Sequence, residues 1–389
     1  MGGKRARVDA ATRLLGRDTR GVLLGARSTV FANCGADCVA EPSEPLHKGT
    51  MDEFAAVRKA DSALAQQLRN TIKKCPACGK VCGFSLKVCN SCGGALPAEV
   101  THSHNIFMGF VYGVARAPFP LQISIRSQTP ERLVFDDLLA LSPCHLNVIP
   151  TYAHIPDWRF LLRRPAEGLQ LLCTLEDAAW DAAATQFVQS EGWATKMLLP
   201  GPARTRSQLA EMRAHVVAGC NFPPSQFQLH VQYILPPLLP FQYQMYLDGQ
   251  HFSHGRFFPL EYIKALLSLD EAVDVTMDTP IEEIIARFSD RVDYDAMHAA
   301  CYARAGASHS ALANWQPDDF TLTLEKGATE VGGRPKDEVV AADKAILQSY
   351  GRPYTEDGKP SGTYYKFARS ERVPEWAAND GSTPTSARL

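Results

Sequence analysis

The sequence predicts an α+β protein in which an antiparallel sheet carries packed helices, with a small four-cysteine module ahead of it and helical additions behind. Three observations lead there. Apolar residues alternate at period two along Phe227–Leu235, and the short apolar runs Leu133–Phe135 and His145–Ile149, separated by a loop with Ser142 and Pro143, read as a strand pair. One long amphipathic stretch lies between that pair and Phe227–Leu235, and two C-x2-C pairs stand ten residues apart near the N-terminal quarter.

Those signals divide the chain into five parts. Residues 1–48 form a basic N-terminal extension, 49–100 a helix plus the cysteine ribbon, and 101–270 the main domain. A helical extension follows over 271–320, and 321–389 is a polar, partly disordered tail poor in large apolar clusters. The extension holds Lys4, Arg5, Arg7, Arg13, Arg17, Arg20 and Arg27 against Asp9 and Asp18, a pattern shared by solvated basic helices, disordered tails and organelle transit peptides.

Taken in order, Met51–Lys73 reads as an amphipathic helix through Phe54, Val57, Leu64 and Leu68. The apolar and aromatic run Phe107–Ile125, punctuated by Gly and Pro, reads as strands. Gly168–Gln189 sets Leu172, Leu175, Ala179, Ala182, Ala183 and Phe187 opposite Glu176, Asp177 and Asp181, which predicts the best helix of the chain. Val216–Ala218 and Phe227–Leu235 read as strands, and alternation would put Gln228, His230 and Gln232 on one face of the second. Pro259–Leu269, Pro280–Phe288 and Tyr294–Arg304 read as helices.

Composition excludes several function classes. With 45% hydrophobic and 21% charged residues the chain is ordinary for a globular protein, and a formal charge of −2 gives no global attraction to nucleic acid or anionic lipid. The longest uncharged stretch, Ala214–Leu247, contains Pro223, Pro224, Pro236, Pro237 and Pro240, which would break a membrane-spanning helix, so no membrane partner is expected. Eleven cysteines, four of them at metal-ligand spacing, favour a reducing compartment, the cytoplasm or an organelle interior.

Cys75-Pro-Ala-Cys78 and Cys89-Asn-Ser-Cys92 each form a tight knuckle followed by Gly79 or Gly93. Two knuckles supply four thiolates, the complete tetrahedral sphere of a zinc ribbon. A filled sphere leaves no open position for water, so the Zn2+ expected there is structural, with Cys82 nearby as an alternative ligand.

Two further segments belong together. Asn221-Phe-Pro-Pro-Ser-Gln-Phe-Gln-Leu-His-Val-Gln232 contains Q-L-H-V-Q, and Phe135-Asp-Asp-Leu-Leu-Ala-Leu-Ser-Pro-Cys-His-Leu-Asn-Val-Ile-Pro150 precedes it. Over residues 105–245 this resembles the histidine triad superfamily, closest to the galactose-1-phosphate uridylyltransferase and nucleotide phosphorylase branch with H-x-H-x-Q, here with Gln228 replacing the first His. The resemblance implies a HIT-like sheet, with His230 as nucleophile toward an α-phosphorus and Gln232 donating to a phosphate oxygen. It further implies that Asp137 binds ribose, Phe135 and Ile149 flank the base, and His154, Asn221 and Ser225 complete the nucleotide site. Gln228 would stand in for the residue that orients the central imidazole, without being able to share a proton.

The expected activity is nucleotidyl transfer to phosphate or a sugar phosphate, from a nucleoside diphosphate sugar or dinucleoside polyphosphate. Relatives in that superfamily are commonly dimers, so a homodimer is an expected assembly. Two alternatives stand beside it: a nucleotide-binding scaffold using the zinc ribbon for partner contacts, and aprataxin-like processing of nucleic-acid ends, which the near-neutral charge disfavours. A lone His on a strand is also commonly structural.

Overall fold

The computed structural model describes residues 47–57, 62–77, 79, 81–87, 89, 94–112, 114–116, 125–129, 131–137, 140–151, 154–190, 208–247, 249–313, 330–331 and 334–335. Residues 1–46 of the basic extension and most of the polar tail lie outside them, as do Cys78 and Cys92. Among the described residues, no helix is long and apolar enough to cross a membrane.

The chain is a mixed α+β fold built on a six-stranded antiparallel sheet. Its strands are β6 (Ile125–Gln128), β7 (Arg132–Asp136), β8 (Cys144–Pro150), β9 (Val217–Asn221), β10 (Val231–Leu235) and β11 (Phe257–Pro259), in the order β11-β9-β10-β8-β7-β6. The predicted strand pair is therefore present, with Leu133 opposite Ile149 and Phe135 opposite Asn147.

Side-chain alternation gives the sheet two different faces. Val134, Leu146, Val148, Val231, Tyr233 and Leu235 point to one side and pack on the long helix Pro165–Ala183 and the helix Leu260–Ser268. The first helix starts with proline at its first position, where the missing N–H costs nothing, and runs into a π-helical turn at Ala184–Val188. Each fully buried aliphatic or aromatic side chain in this layer contributes about 1.5–3 kcal/mol, which makes it the main source of stability.

The second face is only half covered by the same means. Val217, Ile234 and Phe257 pack with Tyr246 of the helix Pro240–Leu247 and with Cys301 and Ala305 of the helix Tyr294–Leu312. The remaining half of that face holds Phe135, Asn147 and Gln232.

A separate three-stranded sheet, β3-β2-β4, carries the cysteines: β2 is Arg69–Lys74, β3 Val81–Gly83 and β4 Thr101–His104. β4 thus belongs to the cysteine sheet although it lies beyond residue 100.

Three elements differ from the sequence reading. The expected helix over Met51–Lys73 is two short helices, Met51–Val57 and Ser62–Gln67, followed by β2, whose Asn70 and Ile72 point inward at period two. Ile106–Tyr112 is a helix rather than a strand, because Asn105 caps it with its Oδ1 on the Met108 amide at 3.2 Å. The strand expected from Phe227 begins only at Val231, since the Leu229 amide turns aside to the Ile155 carbonyl. Gln228, His230 and Gln232 therefore do not share one strand; Gln232 alone lies in it.

Gly219 on β9 fits where no other residue does, because a Cβ there would stand 2.4 Å from the Phe258 carbonyl oxygen and 2.6 Å from the Phe257 ring. Gly219→Ala is expected to destabilise the protein by about 1–3 kcal/mol in denaturant unfolding, the usual cost of overpacking a rigid backbone contact. A loss below about 0.5 kcal/mol would show that β11 yields easily.

Candidate functional site

Among the described residues the segment Gln226–His230 has no strand partner, so its buried backbone groups need others. Asn70 of β2 supplies the first: its Oδ1 accepts from the Phe227 amide at 2.8 Å, while its Nδ2 donates to the Gln226 side chain at 3.1 Å and to the His104 carbonyl at 2.9 Å. Gln226 Oε1 also accepts from the Ile106 amide at 2.8 Å. The Phe227 carbonyl takes Asn105 Nδ2 at 3.0 Å and His154 Nε2 at 2.8 Å. Phe84, just past β3, stacks on the Phe227 ring at 6.2 Å between centroids. The cysteine sheet and the segment before β10 are thus joined by buried hydrogen bonds and one aromatic contact.

This clamp sets the geometry of His230, which is 7% exposed. Its Nδ1 lies 2.8 Å from the Gln228 carbonyl oxygen. A carbonyl only accepts, so the proton sits on Nδ1 and the Nε2 of the neutral ring keeps its lone pair. Burial pushes the His230 imidazole below its ordinary value of 6.5, against the Gln228 hydrogen bond and the nearby Asp137 carboxylate, which raise it. The ring meets Phe107 edge to face at 5.1 Å, and Phe107 meets Phe135 the same way at 5.3 Å.

The structure brings several of the expected residues onto this half of the sheet. Phe135, Ile149 and Gln232 share its face by register, and Asp137 follows β7, with its amide still bonded to the His145 carbonyl. Asn221 ends β9 opposite Phe257, and Ser225 is half-buried in the segment between β9 and β10. Arg159, in a buried pair with Asp157, lies 4.0 Å above the Phe222 ring and steadies the turn between them.

Two expected residues stand elsewhere in the hydrogen-bond scheme. The Gln228 side chain donates to the Pro150 carbonyl at 2.8 Å and accepts from the Ile155 amide at 3.0 Å, so its link to His230 runs through the backbone. His154 bonds the Phe227 carbonyl, and burial pushes its imidazole down to about 4, with that bond opposing. Both hold the segment that presents His230.

Sequence reasoning missed Asn70, Asn105, Phe107 and Asn147. Asn147 is 3% exposed and sits across from both Gln232 and Phe135. Its Nδ2 donates to Asp137 Oδ2 at 2.6 Å, because a carboxylate can only accept; its Oδ1 has no hydrogen-bond partner among the described residues. The L-N-V-I-P run carried a signal, since a polar residue inside an apolar strand needs a partner.

Of the four expected zinc ligands, Cys75 and Cys89 are described, and both are buried in one cluster with Cys82. Cys82 Sγ stands 3.7 Å from Cys89 Sγ. Thiolates about 2.3 Å from a tetrahedral ion are separated by about 3.8 Å, so that spacing fits a shared metal. No group of three or more metal-ligating residues is assembled among the described residues.

Comparison of the chain with protein-family models, curated proteins and solved structures finds no match.

Asn70→Ala leaves the Phe227 amide without its acceptor, at about 1–3 kcal/mol for a buried group left unpaired, and removes one of the two donors to Gln226 Oε1, which keeps the Ile106 amide. The expected result is a loss of about 1–3 kcal/mol in unfolding and faster hydrogen exchange at Phe227. Unchanged exchange at that amide would show that other contacts hold the segment.

Proposed function

We propose that the protein transfers a nucleotidyl group through His230, from a nucleoside diphosphate sugar or dinucleoside polyphosphate to phosphate or a sugar phosphate. The observation that carries this reading is the Nδ1 hydrogen bond to the Gln228 carbonyl, which leaves Nε2 as the nucleophilic atom of a neutral ring. In the first step Nε2 attacks the α-phosphorus, a P–N bond forms, and the P–O bond to the leaving phosphate breaks. In the second, the acceptor oxygen displaces the imidazole and takes the nucleotidyl group.

Gln232, Asn147 and Asp137 fit supporting parts. The Gln232 amide donates to the phosphoryl oxygens without bringing a titratable proton. Asp137 accepts from ribose hydroxyls, and the Asn147 Oδ1 accepts an N–H or O–H of the nucleotide. Phe135, Ile149 and Phe107 offer apolar surface to the base.

One observation favours a second reading, a pocket that binds nucleotide without transferring it. His230 is almost fully covered, and Phe107 lies against its ring, so productive attack needs Phe107 displaced by the substrate. The zinc site belongs to the proposal as a structural brace, held by Cys75, Cys78, Cys89 and Cys92 with Cys82 as the alternative thiolate. Its role is to keep β2 in place, and β2 carries Asn70.

Incubation with nucleotide labelled at the α-phosphorus is expected to trap an acid-labile, base-stable adduct, absent in His230→Ala. The lowered pKa gives the sign of the pH dependence. A ring that gains its proton only below 6.5 stays nucleophilic through neutrality, so adduct formation falls on the acid side with a midpoint under that value. Nucleotide binding with no adduct supports the binding-only reading, and an undiminished adduct in His230→Ala overturns the assignment.

Metal analysis of the purified full chain is expected to find one zinc per chain. A strong chelator under reducing conditions should lower the melting temperature and speed exchange at Phe227. A metal-free protein whose melting temperature ignores chelator contradicts the brace.

A further inference from the structure

His145 faces Asp137 across the pair of strands β7 and β8. Register sets Asp136 opposite Leu146, so the next pair is Asp137 with His145, and the Asp137 amide donates to the His145 carbonyl at 2.8 Å. Side chains alternate along a strand, so His145 and Asn147 point to the same face of the sheet, the face that carries Phe135 and Gln232. The Asp137 carboxylate therefore meets two polar side chains of one strand.

Their contacts differ in kind. Asn147 Nδ2 donates to Asp137 Oδ2 at 2.6 Å. His145 Nε2 lies 3.8 Å from the same oxygen, beyond hydrogen-bond length but near enough for an N–H dipole to act on the charge where water is excluded. The other side of the imidazole tells where its proton sits: the Leu141 amide donates to Nδ1 at 3.1 Å, so Nδ1 offers its lone pair and the neutral ring bears its proton on Nε2. A donor thus faces the carboxylate. The His145 side chain is 3% exposed and that of Asp137 17%, so the pair supports the carboxylate from below and part of it stays open. The Asp137 charge also reaches His230, which places the open part beside the proposed nucleophile.

We propose that His145 is a positioning residue of the nucleotide site: it directs the Asp137 carboxylate toward the hydroxyls of a ribose, and the site thereby selects ribonucleotides over deoxyribonucleotides. This rests on the nucleotide reading given above and adds the residue that sets sugar specificity. A carboxylate turning about its own side-chain torsions accepts from many directions; held at one oxygen from the His145 and Asn147 sides, it accepts from one. Both holders are neutral donors, so the negative charge stays available to the sugar instead of being taken up by an ion pair. A site built to bond a hydroxyl rejects the analogue that lacks it, because the acceptor is then left unmatched.

The test compares equilibrium binding of the full chain to UDP and ADP with binding to their 2′-deoxy counterparts. At least one ribonucleotide is expected to bind about tenfold more tightly than its 2′-deoxy form. His145→Leu should weaken that ribonucleotide about tenfold and leave the deoxy form within about threefold, which abolishes the preference. His145→Gln, whose amide nitrogen can stand where Nε2 does, should restore most of it. At saturating nucleotide labelled at the α-phosphorus, His145→Leu should form the His230 adduct within about threefold of the wild-type rate, since His145 touches no reacting atom. A merely structural histidine would weaken both sugars alike, slow the adduct and gain nothing from Gln. Long-range proton–nitrogen NMR of the wild-type chain needs no variant and should find the His145 proton on Nε2.

Three results overturn the proposal: a wild-type chain that binds ribose and deoxyribose forms equally, a His145→Leu that weakens both alike, or a His145 proton on Nδ1. Each leaves the nucleotide reading standing. A chain that binds neither UDP nor ADP contradicts that reading itself, and the role of His145 falls with it.

Discussion

A buried chain segment outside a sheet ladder must find hydrogen-bond partners one by one, and Gln226–His230 is such a segment. Its solution is a set of amide side chains and one imidazole. Asn70 serves the Phe227 N–H, Asn105 and His154 the Phe227 carbonyl, and the Gln228 side chain ties back to Pro150 and Ile155. Any one of these groups left unpaired costs about 1–3 kcal/mol, a large part of the net stability of a typical domain. The pressure to satisfy the backbone thus fixes where the Gln228 carbonyl points, and that carbonyl fixes the tautomer of His230.

Division of labour between the two faces of the sheet explains how such a polar arrangement is tolerated. The helix-backed face concentrates the aliphatic burial that stabilises the molecule. The other face can then hold the polar Asn147 and Gln232, with His230 beside it against Phe107. Burial and hydrogen bonding act on the His230 ring in opposite directions, and burial wins. A ring so placed stays neutral above a pKa lowered from 6.5, with the Nε2 lone pair that the proposed attack requires.

The legible part of the fold was the part governed by short periods. The short apolar runs Leu133–Phe135 and His145–Ile149 either side of a Ser-Pro loop locate β7 and β8, and the apolar stripe from Leu172 to Phe187 locates the long helix. Ile106–Tyr112 was misread because a short apolar run looks the same as helix or strand, and its decisive residue, the Asn105 cap, looked like any polar residue before it. β2 merges into the preceding helix in the sequence because Asn70 finds its partners in Gln226 and Phe227, more than 150 positions away, and in His104 of β4.

At the candidate site the same split holds. Asp137 and Phe135 join Gln232 in the sequence reading only through the family resemblance, and Phe107 and Asn147 act through pairings that no local pattern encodes. The measurement that bears most directly on the whole account is the protonation state of the His230 ring by long-range proton–nitrogen NMR at pH 7. A neutral ring with its proton on Nδ1 is the predicted outcome. A proton on Nε2, or a doubly protonated ring, would contradict it, because Nε2 would then have no lone pair for phosphorus.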